Sequence, residues 1–419
     1  MSLSYLLAFM QRTGPGVISN TLQRQFHVTA AVLGTLSSIQ YFLYMVMQIP
    51  VGISGDKFGP ERLLAVGVLL DGTGTVIFSL AHTFAWLLAG RAIVGLGDSL
   101  IWVNIVLILG RYFKPQVFGT MLAVTSTAGN FGALLTTIPF AALTMAIGWR
   151  LPFFSLGIAM VVVAALNYVV LRYAKSHLLA KNELHMERTP VRATLHVVVK
   201  DRNAWATFAC HFGAVGTYIG FMGLWAVPYI IDTYHLSEMG STVFTLIAFI
   251  GALIGSPLAG MISDRLGSRK RPYIVTQVLT TLAWLSIPLF GGKPPLIVVG
   301  IAFGLIGLGS GASLLTFAVV RDQTPKRRVG ITSGFANTGG FLSAVLLPVL
   351  YGTVLDMVGG NGRQSTGAHP HAFSFALAFL VPTLFSAIGV VGSLSIKERH
   401  AFGEQDELES DVDPSTGRV

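Results

Sequence analysis

Apolar runs of about 20 residues follow one another along almost the whole chain, each ended by a short polar or glycine-bearing break. A run of that length spans a bilayer as a helix. Read in this way, the first half predicts spans near 3–23, 29–52, 63–81, 86–110, 118–143 and 152–171, and the second near 204–230, 240–262, 273–291, 295–319, 329–355 and 371–395. Between the halves, 174–202 is the first long polar stretch, and apolar residues recurring after Pro190 allow a helical piece over about 191–200. The expected fold is an all-α polytopic membrane protein: a bundle of six helices over 1–173, a linker over 174–202, a second bundle of six over 203–396, and a tail over 397–419. That tail holds six acidic residues between Glu404 and Asp413 and predicts a disordered solubilising segment.

Composition agrees with the pattern. Hydrophobic residues make up 53% and charged residues only 11%, too few charges for the surface of a soluble domain of 419 residues. The net charge of +9 does not point to nucleic acid, because the Lys and Arg collect in short loops between apolar spans. That distribution fixes an orientation. With both termini in the cytoplasm, 22 of the 28 Lys and Arg face inward, and external loops carry only Arg24, Arg150, Lys293 and Arg363. The single cysteine, Cys210, excludes an intrachain disulfide and a cysteine-rich metal site.

Two stretches are written alike. Residues 52–62 read GISGDKFGPER and residues 260–270 read GMISDRLGSRK, so that Asp56 and Asp264 stand half a chain apart. The physics is that of a tight turn at the lipid–water boundary, with glycines for close approach, an Asp at a helix end and a cationic cluster beyond it. Such an echo marks one membrane unit used twice. The pattern resembles the loop signature of the major facilitator superfamily of secondary transporters, in its bacterial type. Gly52, Asp56, Lys57, Gly59 and Arg62 carry it in the first copy, with Glu61 at a usually basic place; Gly260, Asp264, Arg265, Gly267, Arg269 and Lys270 match throughout in the second. The resemblance covers roughly residues 1–396 and implies two pseudo-symmetric bundles of six helices rocking about a central site, with these loop residues controlling the interconversion.

Charges inside spans are the candidate chemistry, because each needs compensation or a hydrated cavity. Arg12, Asp71 and Asp98 fall at overlapping depths of about 14, 12 and 18 Å from the cytoplasmic end. Arg12 fits an anion-binding role, its planar donor fork matching a carboxylate or phosphate; the competing reading pairs it structurally with Asp71 or Asp98. Asp98 is the candidate proton carrier, with a fixed ion pair as its alternative. Arg91, in GRAIVGLG, resembles the family's arginine motif of the fourth span, which is associated with proton coupling; Asp71 and His211 complete the proton-coupling candidates. His211 reads either as a relay or as a neutral hydrogen-bonded side chain. Family architecture places spans 1, 4, 7 and 10 around the cavity with 2, 5, 8 and 11 beside them, which selects Tyr44, Asn130, Tyr218 and Asn337 as substrate contacts.

The fifth span, TSTAGNFGALLTTIP, lacks the Gly-Pro pair usual in the family's drug antiporters, which disfavours drug efflux. The chain contains no nucleotide-binding loop, zinc-ligand spacing or nucleophile elbow, so neither enzyme chemistry nor a cofactor or metal is expected. The expected protein works as a monomer in the bacterial cytoplasmic membrane. It moves a small organic anion by alternating access, in symport with protons or by exchange. Export of an amphipathic cation drawn to Asp71 and Asp98, and a non-transporting sensor or scaffold, are the alternatives.

Overall fold

The computed structural model describes residues 1–113, 115–178, 191–325, 328–359 and 370–398. The acidic segment 404–413 and most of the linker and of the loop expected over 358–370 lie outside them. Among the described residues, nine helices are long and apolar enough to cross a membrane, and eleven if each of two bent pairs is one span. The twelfth is the first, whose 16 residues, with Gln11, Arg12 and Thr13 among them, are too short for that count.

We number the spans in chain order. α1 is Ser2–Val17, continued by Ser19–Phe26. α2 is Ala30–Phe58, α3 Pro60–Ser79 and α4 Phe84–Tyr112. α5 is Pro115–Leu135 bent by 42° into Ile138–Ile147, and α6 is Arg150–Leu178. A short helix, Val191–Val198, occupies the end of the linker as the apolar spacing there predicts. α7 begins at Arg202–His211, passes through a π-helical turn at Phe212–Gly216 into Thr217–Met222, and bends by 59° into Ala226–Tyr234. α8 is Glu238–Leu266, α9 Lys270–Leu289, and α10 Leu296–Ala312 with Leu315–Gln323. α11 is Val329–Gly359, and α12 is Pro370–Ala378 with Leu380–Ser395.

The repeat is visible in the lengths. α2 and α8 are 29 residues each, and α3 and α9 are 20 each. The turn between them sits at a glycine with positive φ in both halves, Gly59 at 84° and Gly267 at 57°. The helices run further than the hydropathy boundaries suggest, since α2 extends to Phe58 rather than stopping near 52, so Asp56 and Asp264 stand in the last helical turn and not in the loop itself.

Large apolar side chains point outward along the spans, as they do in a lipid solvent: Val169, Val170, Leu289, Ile297 and Leu384 are all exposed. The interior is polar by comparison and holds Gln11, Gln40, Asp71, Arg91, Asp98, Asn104 and Gln277. Within the first half α4 packs between α2 and α3, and α1 lies on α5; in the second, α8 packs on α10 and α7 on α11 and α12.

The two bundles meet chiefly through α2 and α11. α11 has its Pro348 carbonyl where a side chain on Gly34 would stand, and a Cβ on Gly352 would lie 2.5 Å from the Ala30 carbonyl. Gly16 of α1 approaches Gly223 of α7 in the same way, a Cβ there falling 2.8 Å from its carbonyl oxygen. Polar contacts reinforce this face: Asn20 donates to Asp232 at 3.0 Å, and Ser38 donates to the Val345 carbonyl at 2.5 Å. Asp356 accepts from the backbone N–H of Ala30 at 3.0 Å and of Ala31 at 2.8 Å, while Thr29 accepts from Val32. The free N–H groups that open α2 are therefore satisfied partly by the other bundle. Tyr44 stacks on Phe341 with centroids 4.2 Å apart at about mid-helix. These junctions lie between mid-span and the face opposite the chain termini.

Candidate functional site

α1, α2, α3 and α4 bring six ionisable or amide side chains of the first half, Gln11, Arg12, Gln40, Asp71, Arg91 and Asp98, into one buried region. Arg12 lies one turn from Ala8 and Leu7, which pack into the core and hold its helix face toward α4. Its Nε donates to Asp98 Oδ2 at 3.2 Å and its NH2 lies 3.0 Å from Oδ1, so the guanidinium meets the carboxylate with two nitrogens. Gln40 of α2 donates to the same Oδ2 at 2.6 Å. The side chains are 10% exposed for Arg12 and 1% for Asp98. Arg12 also stands over Phe9, 4.8 Å from the ring centroid, and 5.7 Å from that of Tyr44. Its remaining nitrogen, NH1, makes no hydrogen bond among the described residues.

Arg91 is buried without a carboxylate. Its NH1 donates to the Gln11 side chain at 2.9 Å and to the Gln11 carbonyl at 3.2 Å, and its Nε to the Leu36 carbonyl at 3.4 Å. Asp71 is fully buried at the α3–α4 interface. The pairing reading of Arg12 is thus realised with Asp98, and Arg91, two turns along the same helix, is held by neutral acceptors. Gln11 and Gln40 are the members that charge-seeking passed over. An amide within an apolar span, next in sequence to Arg12 in one case, was the available signal.

In the second half His211 is buried, with Nδ1 3.3 Å from Thr316 Oγ1 and its ring edge on Phe317, and a Cβ on Gly340 of α11 would lie 2.8 Å from its ring. Thr316 is in turn 2.6 Å from the Tyr273 hydroxyl. His211 thus packs against α11, the helix that carries Asn337, on the other bundle from Arg12. Tyr44 is buried between the two bundles against Phe341. Tyr218 is buried in the core with its ring edge-on to Phe249 of α8. Asn130 is half-buried on α5, and among the described residues no hydrogen bond links it to the Arg12–Asp98 pair.

The turn residues divide. Asp264 is exposed and pairs with Arg269 at 2.7 Å, and Arg269 also meets Asp322 of α10 at 2.9 Å, so this copy ties α8, α9 and α10 of one bundle together. Glu398 joins it, accepting from the backbone N–H of Arg269 at 2.6 Å and of Lys270 at 2.9 Å. Arg265 and Gly267 are exposed, and the space at Gly260 is open. A cavity of about 510 Å³ is lined here by Gly260, Asp264, Arg269 and Arg321. In the first copy Arg62 is exposed and Gly59 half-buried, while the side chains of Gly52, Asp56 and Lys57 lie outside the described residues.

Twelve spans in two equivalent halves, a doubled glycine turn and a buried charge network at mid-span define a recognisable architecture, and the family model for the Major Facilitator Superfamily matches residues 1–252 and again 226–412. The chain belongs to this superfamily. Among its curated relatives are the probable sulfoacetate transporter SauU of Cupriavidus necator, 21% identical over 98% of this chain and 96% of that one, and the probable galactarate/D-glucarate transporter GudP of Escherichia coli, 23% identical over 83% and 84%. The hexuronate transporter of Bacillus subtilis is 23% identical over 85% of this chain and 87% of its own. Among solved structures, a bacterial homologue of the human lysosomal transporter Spinster superposes with a TM-score of 0.73 at 17% identity, covering 94% of this chain and 95% of that one. The D-xylose–proton symporter does so with a TM-score of 0.69 at 15% identity. The superfamily and these relatives are transporters, not catalysts.

Proposed function

We infer that this protein moves a small organic anion by alternating access, with Arg12 as the anchor of the anion and Asp98 as the group whose proton is exchanged. The observation that carries the reading is the state of Arg12. It offers one edge of its guanidinium to Asp98, keeps NH1 without a hydrogen bond among the described residues, and is the more exposed member of the pair. A carboxylate or sulfonate arriving at that edge competes with Asp98 for the same cation, and the displaced Asp98 then takes up a proton. The relatives named for sulfoacetate, galactarate, D-glucarate and hexuronate share an acid group on a small polar body. Tyr44 and Asn130 supply further polar contacts from the first bundle, and Tyr218 and Asn337 from the second. Arg91, Asp71 and His211 belong to the coupling set.

The charge rule puts the chain termini, the linker over 174–202 and the tail over 397–419 in the cytoplasm of a bacterial cell. In that orientation the α2–α11 junction closes the external side, and the conformation is the one open inward. The bundles over 1–173 and 203–396 rock about the midplane as a monomer, and the doubled turn controls the exchange rate between states. Purified protein in proteoliposomes, offered sulfoacetate, D-glucarate and D-glucuronate under an imposed pH gradient, tests the function directly. Uptake of at least one, abolished by Arg12→Ala, is expected; transport of neutral sugars in preference to all three acids would exclude the anion reading.

A further inference from the structure

Asp71, grouped above with the coupling residues, is the buried acid to which this mechanism gives no step of its own. α3 and α4 touch there backbone to backbone: a Cβ on Gly97 would lie 2.6 Å from the Asp71 nitrogen, which sets Asp71 beside the residue that follows, Asp98. This contact puts the buried Asp71 and Asp98 side chains at the same α3–α4 interface. The other charges around it are Arg12 from α1 and Arg91 from α4. α2 brings Tyr41 and Tyr44 to the same charges, and α6 brings only Gly157 and Val161 against the neighbouring Gly72. On α3 itself Glu61 and Arg62 stand more than two turns away.

Donors are the deciding matter. Among the described residues no N–H or O–H reaches either Asp71 oxygen. Arg12 and Gln40 both spend their hydrogen bonds on Asp98, and Arg91 spends its own on Gln11 and Leu36. An ionised carboxylate stripped of water and of donors is not tolerated, and here it would draw in the free NH2 of Arg91, which has no partner. Two ionised carboxylates are acceptors only, so they cannot bond to each other until one carries a proton. Asp98 Oδ1 has Arg12 NH2 3.0 Å away but accepts no well-aligned hydrogen bond among the described residues, so it can still take one.

We propose that Asp71 is a neutral carboxylic acid that donates its hydrogen bond to Asp98 and keeps its proton through the transport cycle, as a positioning residue for the Arg12–Asp98 pair. The proton stays on Asp71 because Arg12 and Gln40 donate to Asp98, and no donor among the described residues reaches Asp71. Arg12 and Arg91 then face a single negative charge, Asp98, which an incoming anion replaces on Arg12; this consequence alone rests on the anion reading above.

Infrared spectroscopy of the purified protein at neutral pH tests the assignment without substrate or transport, so its failure is distinct from failure of that reading. The parent is expected to show the carbonyl stretch of a protonated carboxyl group, shifted down in D2O. The band should be lost in Asp71→Asn and kept, at a shifted frequency, in Asp98→Asn. Asp71→Asn preserves a neutral donor of the same shape, so it should fold with the melting temperature of the parent, while Asp71→Leu should lower it. If the parent and Asp71→Asn spectra agree in this region, or if Asp71→Asn fails to fold or melts far below the parent, then Asp71 is ionised and the proposal is overturned.

Discussion

Arg12 and Asp98 form a pair in which geometry matters more than charge alone. Lysine in place of Arg12 keeps the cation but meets a carboxylate at one point, so Arg12→Lys is expected to weaken binding of the transported anion at least tenfold, about 1.4 kcal/mol. Equilibrium binding to the purified protein measures this, and an Arg12→Ala protein that bound as tightly as the parent would refute the role. Because removing one partner of a buried pair costs about 3–5 kcal/mol, Arg12→Ala should also melt lower, and adding Asp98→Asn should recover much of the loss. The charges themselves were legible in the sequence, since an Arg or Asp within an apolar run has no innocent place in a bilayer. Their partners were not. Hydropathy cannot tell that Arg12 meets Asp98 while Arg91, on the same helix as Asp98, meets Gln11. That choice depends on how α1, α2 and α4 rotate about their axes, which glycine packing decides.

At the scale of helices, the contact between α2 and α11 depends on two glycines and one carboxylate. A valine at Gly34 would collide with the Pro348 carbonyl, yet α2 would still be a helix. Gly34→Val is therefore expected to hold the bundles apart on that face, abolishing turnover while leaving a binding-competent protein. Asp356→Ala removes the cap that α11 lends to α2, a contribution of about 1 kcal/mol, and should shift the population several-fold toward the form open on that face. Cys210 is fully buried, so cysteines introduced beside Gly34 can be labelled against a silent background. Labelling rates that rise in Asp356→Ala and Gly34→Val would support this, and unchanged rates would count against it. The twelve runs, the repeat and the doubled turn could all be read from the chain, because apolar length and glycine punctuation are local properties. Asp356 could not: it sits at the outer end of an apolar span and looks like any boundary residue until the other half of the molecule is present. At the opposite face, Asp264→Asn leaves Arg269 its second partner, Asp322, so transport should slow by a modest factor with binding nearly unchanged. Loss of affinity with normal turnover would contradict that assignment.

For the whole molecule, coupling is a question of which steps need a net proton. In the conformation described, Asp98 is ion-paired with Arg12. To cross the membrane unloaded, the bundles must rock with this pair intact, because breaking it would leave two uncompensated charges out of water. To cross loaded, the anion takes the place of Asp98 on Arg12, and Asp98 must be neutralised before the same rocking can occur. Under the proposed mechanism, proton and anion travel together because only the unloaded or the doubly loaded carrier has its mid-membrane charges satisfied. Asp98→Asn fixes the neutral form. It is expected to bind the anion, to catalyse counterflow of labelled against unlabelled substrate, and to lose accumulation driven by an inward proton gradient, since its empty form carries an unpaired Arg12 and cannot return. Both activities can be followed in one preparation of proteoliposomes. Full accumulation by Asp98→Asn would remove Asp98 as the carrier of the proton, and loss of both activities would mark the Arg12–Asp98 pair as structural support for the bundle.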